Sequence, residues 1–164
     1  MRTTERRIGR RVAVGAAFLA AAALAGCKAS APGKTKTAMM NVAKRWLFIG
    51  GRKDRNPMAA NAQSIADGKE AFGHYCIVCH GLDGQNTGVP FAAQMDPPVP
   101  SLASPAVQRY TDGQLKWVIE NGVAPSGMPA ARGILSDDEQ WSIVIYLRHL
   151  PPAGSLGEPG VYGN

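Results

Sequence analysis

Cys76-Ile77-Val78-Cys79-His80 places two thiols two residues apart and an imidazole directly after them. The thiols can add across the two vinyl groups of a porphyrin to form thioethers. The adjacent histidine then sits on the ring face, where a nitrogen can bind iron. A two-residue gap lets both sulfurs reach one edge of a rigid macrocycle from a single helical turn. Two other readings of a Cys-x-x-Cys pair compete. A redox dithiol usually opens a helix after a buried strand, whereas this pair closes a helical segment in a chain with no strand pattern. A structural zinc site wants a second ligand pair at comparable spacing, and His74 and His149 do not provide one.

An iron held by His80 needs a sixth ligand or is left with an open site. Six methionines are present. Met128 lies in Pro125-Ser126-Gly127-Met128-Pro129, a non-helical loop between two apolar helical segments, where the chain can cross the far face of a haem. Met95, in Gln94-Met95-Asp96-Pro97, is the second candidate, and core filling is the ordinary use of either side chain. His74 and His149 read as surface or packing residues of helices.

Three helices must position these groups, each announced by a capping box. The first is read from Ser64-x-x-Asp67, with Ile65, Gly68, Phe72 and Tyr75 on one face. The second starts at Thr111-x-x-Gln114, turns Leu115, Val118 and Ile119 inward and stops at Asn121-Gly122. The third starts at Ser136-x-x-Glu139, carries Ile143, Val144, Leu147 and Leu150, and stops at Pro151-Pro152. Ser104-Pro105 marks a short extra turn. No run of alternating strand residues and no internal repeat is present, which predicts an all-α domain with long loops. Three modest helices bury little by themselves, so the domain needs a large apolar body to pack around. Residues past Pro151, rich in Gly and Pro, are expected to form a loose tail.

The chain is 164 residues long, with a formal net charge of +6 that is unevenly spread. Five arginines precede an apolar, alanine-rich run from Val12 to Leu24, the layout of a secretory signal and too short for a comfortable transmembrane helix. The run ends Leu24-Ala25-Gly26-Cys27, which resembles a bacterial lipobox; that resemblance implies a lipidated Cys27, and ordinary cleavage with a spare cysteine is the alternative. Residues 28–60 carry eight basic side chains and one acidic one. Within them Trp46-Leu47-Phe48-Ile49 is an apolar cluster, suited either to packing on the domain or to a membrane surface, where basic neighbours gain about 1 kcal/mol each. From Asn61 onward ten acidic residues stand against five basic ones. A basic tether thus joins an acidic domain, and nucleic-acid binding finds no support.

From about Ala60 to Leu150 the sequence resembles the small class I cytochromes c. Gly68 and Phe72 match that family's first-helix positions, and Ile143 and Tyr146 match their partners on the last helix. Gly81 and Gly84 fit the turn after the haem motif. Pro97-Pro98-Val99-Pro100-Ser101-Leu102 is similar to the proximal loop, where a proline carbonyl, here Pro100, accepts from the iron-bound histidine. Leu115 to Gly122 followed by Gly127-Met128-Pro129 matches the distal half, where Trp117 serves either a haem propionate or packing.

The resemblance implies a class I cytochrome c fold, with three main helices and a short one around one covalent haem c. It also implies His80 and Met128 as axial ligands. The expected organisation is a signal peptide with lipobox (1–26), a basic linker (27–60), a haem domain (61–151) and a tail (152–164). With both axial positions filled, and no nucleophile or phosphate loop in sight, the expectation is a single-electron carrier. It would be anchored by its lipid on the periplasmic side and exchange electrons with redox proteins rather than a small-molecule substrate. A cytochrome subunit of a dehydrogenase or oxidase complex, and a gas sensor with a labile Met128, are the competing classes.

Overall fold

The computed structural model of the chain describes residues 49–124 and 126–162, all within one compact unit. Cys27 and the Trp46–Phe48 part of the apolar cluster lie outside them. Five α-helices occur among the described residues, with no strand. These are α1 (Ala62–Tyr75), its one-turn continuation α2 (Ile77–His80), the short α3 (Pro105–Gln108), α4 (Asp112–Asn121) and α5 (Asp137–Leu147). The chain is thus all-α, as the sequence predicts. No described helix is long and apolar enough to cross a membrane.

The caps explain where the helices start. Thr111 and Ser136 form reciprocal capping boxes with Gln114 and Glu139, and Ser104 caps α3 with Pro105 in its first turn. Each such box satisfies two backbone donors that would otherwise lack partners. The first helix departs from expectation: Asn61 is its N-cap, and Ser64 is the third residue of the box, bonding back to the Asn61 backbone. Asp67 plays no capping part and accepts from Gln63 Nε2 instead. The last helix ends at Leu147, so Leu150 packs on the core from beyond it.

α5 is buried along most of its length and packs against both α1 and α4. Where α1 crosses α5, Gly68 lies against the Ser142 carbonyl, so closely that a Cβ there would overlap it. That close approach seats Phe72, 1% exposed, on Tyr146, with ring centroids 5.4 Å apart and tilted by 57°. Burying such a ring contributes about 1.5–3 kcal/mol, and the tilted pairing adds roughly 0.5–1.5 kcal/mol. Leu115, Ile119, Leu135, Trp141, Ile143 and Val144 complete the core. Tyr75, expected on the inner face of α1, is 53% exposed because the helix turns it outward just before Cys76.

Arg148 ties the helix ends together. Its guanidinium donates to the Gln108 carbonyl at 2.9 Å, the Tyr110 carbonyl at 2.5 Å and Asp112 Oδ1 at 2.8 Å, linking α3, α4 and α5. The end of the basic linker is also seated on the domain. Gly50 and Gly51 lie against Trp117 and Gly113 of α4, Asn56 Nδ2 donates to the Trp141 carbonyl at 3.1 Å, and Met58 packs on the core.

Candidate functional site

α1 ends where Cys76 begins a new turn, and α2 carries Ile77 to His80. The motif is therefore one turn of helix that continues α1, the helix packed on α5. Cys76 and Cys79 are both free thiols, half-buried. Burial, reinforced by the neighbouring Cys79, pushes the Cys76 thiol up to about 12, so it stays protonated. Among the described residues no group of three His, Cys, Asp or Glu side chains could hold a metal ion, which leaves the zinc reading without ligands.

His80 is the neighbouring group with an unsatisfied atom. Burial lowers its pKa to about 4, so the ring is neutral near pH 7, with one nitrogen lone pair available. The carbonyl of Pro100 lies close enough to oppose that shift. The buried Nδ1 nonetheless has no partner at full hydrogen-bond geometry. Two thiols on one helical turn, followed by one neutral imidazole, are the attachment and ligand groups a c-type haem requires of its binding motif. The residues present fit that group.

The loop after the motif reverses the chain through Gly81 and Gly84, whose φ values of +72° and +69° suit glycine and strain other residues. Asn86 N donates to the His80 carbonyl at 2.8 Å, and Asn86 Nδ2 donates to the Val99 carbonyl at 2.8 Å. These bonds hold the segment bearing Pro100 beside the motif. Leu102 N, donating to the Gly84 carbonyl at 2.8 Å, fixes its other end.

Met128 is half-buried in the loop after α4. Its carbonyl accepts from Val123 N at 3.1 Å, closing the loop on itself, and Gly122 packs against the same carbonyl. Pro125 lies outside the described residues. The terminal methyl of Met95 lies 3.3 Å from where a Cβ on Gly127 would be, beside the Met128 loop. The two candidate thioethers thus share one neighbourhood. Trp117 is half-buried, with Gly50 against its indole nitrogen edge. His149 Nδ1 is bonded to the Ile145 carbonyl at 2.8 Å, and exposed His74 pairs loosely with Glu70 at 3.9 Å, so both serve the helices as expected.

Sequence reasoning missed Asp83. Its side chain is fully buried and accepts from Gln85 N at 2.8 Å, Thr87 Oγ1 at 2.5 Å and Gly154 N at 2.7 Å. Burial would raise its pKa, but these donors together hold it below the ordinary carboxylate range. The signal was present in Gly81-Leu82-Asp83-Gly84, an aspartate between two turn glycines of the kind that bonds backbone two residues on.

Residues 63–147, just over half of the chain, match the family model described as Cytochrome C oxidase, cbb3-type, subunit III. No curated protein matches. Among solved structures, the Kuenenia stuttgartiensis reducing HAO-like protein complex Kustc0457/Kustc0458 is similar at 22% identity and a TM-score of 0.48. The match covers 57% of this chain and 46% of that one, so the chain spans less than half of its length.

Proposed function

Because the chain belongs to the c-type cytochrome family described as Cytochrome C oxidase, cbb3-type, subunit III, we propose that it is a single-electron carrier holding one haem c. In this reading Cys76 and Cys79 would hold the haem as thioethers, and His80 and Met128 would bind its iron. When bound, the haem supplies a centre that gains or loses one electron. The rest is the work of the chain. Burial keeps the His80 imidazole neutral near pH 7 and free to donate a lone pair. The Pro100 carbonyl, accepting from the ring N–H, would orient it and raise its donor strength. A hydrogen bond from the Trp117 indole to a propionate belongs to the same proposal.

The observation that carries this reading is His80: a neutral imidazole beside the Pro100 carbonyl, directly after two free thiols held on one helical turn. An absorption spectrum with a redox titration of the purified protein tests it. The expected result is one porphyrin retained through acid-acetone extraction, a single one-electron wave and slow carbon monoxide binding by the reduced protein. Loss of all colour to acid-acetone would remove the haem. Rapid carbon monoxide binding would remove Met128 as a firm ligand and favour a gas sensor.

Leu24-Ala25-Gly26-Cys27 supports a lipid anchor at Cys27 on the periplasmic side of a membrane. The family description, an oxidase subunit, favours a second reading in which the chain serves inside a membrane oxidoreductase complex. Co-purification of a large partner in mild detergent supports that complex; release as a monomer supports a diffusing carrier.

A further inference from the structure

Residues 152–162, expected to be loose, are fastened across the loop that follows the motif. Gln85 Nε2 donates to the Pro151 carbonyl at 2.8 Å, and Gly154 N donates to buried Asp83 at 2.7 Å. Pro159 is fully buried and sits flush on Gly88, where a Cβ would come within 3.0 Å of its ring. A single 3-10 turn, Gly160–Tyr162, then delivers Tyr162 to the motif. Its ring meets Phe91 edge-on, with centroids 5.9 Å apart and planes at 71°. Its hydroxyl donates to the carbonyl of Val78, the residue directly before Cys79.

These contacts run along the loop that follows the motif, and the last of them, from Tyr162 to the Val78 carbonyl, reaches the turn that carries both sulfurs. Val78, whose carbonyl takes that bond, has an apolar side chain that remains 47% exposed. Polar or apolar cover at such a place decides how much water reaches an attached group, and water access tunes its potential.

We infer that the C-terminal segment is a strap that closes over the Cys76–Cys79 turn and keeps water from the group attached there, with Tyr162 as the positioning residue that latches it. The inference rests on the haem reading. Phe91 supplies the ring contact and Val78 the acceptor, so the latch has an aromatic half and a hydrogen-bonded half that substitution can separate.

Three variants of the full, haem-loaded protein test it: Tyr162→Phe, Tyr162→Ala and a chain ending at Pro151. The readouts are the reduction potential and the hydrogen-exchange rate of the backbone amides at Val78 and Cys79. Tyr162→Ala and the shortened chain are expected to exchange faster at those amides. Both should also have lower potentials, because water stabilises the more highly charged oxidised state. Tyr162→Phe, which keeps the ring on Phe91, should fall between them and the native protein. A coloured protein whose potential and exchange rates ignore all three changes would overturn the strap and leave the haem reading intact. Lower thermal stability with an unchanged potential would also overturn it, reducing the segment to a brace. A native protein lacking covalent porphyrin would overturn the haem reading instead.

Discussion

Replacing Asp83 with asparagine changes one oxygen to an amide without altering shape. In the native protein Oδ1 accepts from Gln85 N, and Oδ2 accepts from Thr87 Oγ1 and Gly154 N. Asparagine can keep its oxygen at the Oδ2 site, which preserves two bonds but lowers them from charge-assisted to neutral. Its NH2 then faces the Gln85 N–H, a donor against a donor at a fully buried side chain. Loss of one bond to a charged group costs about 1.5–3 kcal/mol, and weakening the other two adds roughly 1 kcal/mol. We therefore expect Asp83→Asn to be about 3 kcal/mol less stable at neutral pH, measured by chemical unfolding of the haem-loaded protein followed by circular dichroism.

The pH dependence sharpens this expectation. The folded carboxyl has a pKa below its unfolded value, which lies near about 3.9. Its stabilisation is therefore complete above the unfolded value and lost as pH falls through the folded one. The gap between native and Asp83→Asn proteins should stay constant from neutral pH into the mildly acid range and close on further acidification. A gap below about 0.5 kcal/mol at neutral pH, within the scatter of ordinary surface changes, would refute the reasoning. So would a gap that acid does not narrow.

Three further outcomes follow from the geometry. Gly68→Val drives a branched side chain into the Ser142 carbonyl and should destabilise the domain by about 3 kcal/mol or more, read as a lowered denaturant midpoint; a loss below about 1 kcal/mol would mean that α1 and α5 can part cheaply. Met128→Ala should keep the covalent haem and lower the reduction potential, since methionine ligation raises it; an unchanged potential would transfer the ligand role to Met95, whose methyl lies beside Gly127. Cys27→Ala should leave the absorption spectrum unchanged and release the protein from membranes into the soluble fraction; continued anchoring would assign that task to Trp46–Ile49.

What the sequence made legible was mostly local. Thr111 and Ser136 are found at their caps because a capping box is complete within four residues, and Ser104 because a serine cap before a first-turn proline is equally local. The same rule misplaced the start of α1. Ser64 fits either end of a box, and only the fold shows that Asn61 occupies the other. The crossing at Gly68 and the Phe72–Tyr146 pair came from a family resemblance rather than from periodicity, which cannot say which faces meet. The fastening of the C-terminal segment was illegible for a physical reason. Gly154 reaches Asp83 across 71 positions and Tyr162 reaches Val78 across 84, while the intervening glycines and prolines read locally as chain with no preferred partner. Arg148 escaped notice similarly, since its carbonyl acceptors are backbone groups that carry no sequence signature.

The glycine contact between α1 and α5 also sets an order of events. A fourteen-residue helix on its own is marginal in water, and the surface that steadies α1 belongs to a helix more than sixty residues further along. Loop closure over that span must come before either gains from the other. Until the final helix arrives, the segment that bears both thiols therefore lacks the surface that steadies it.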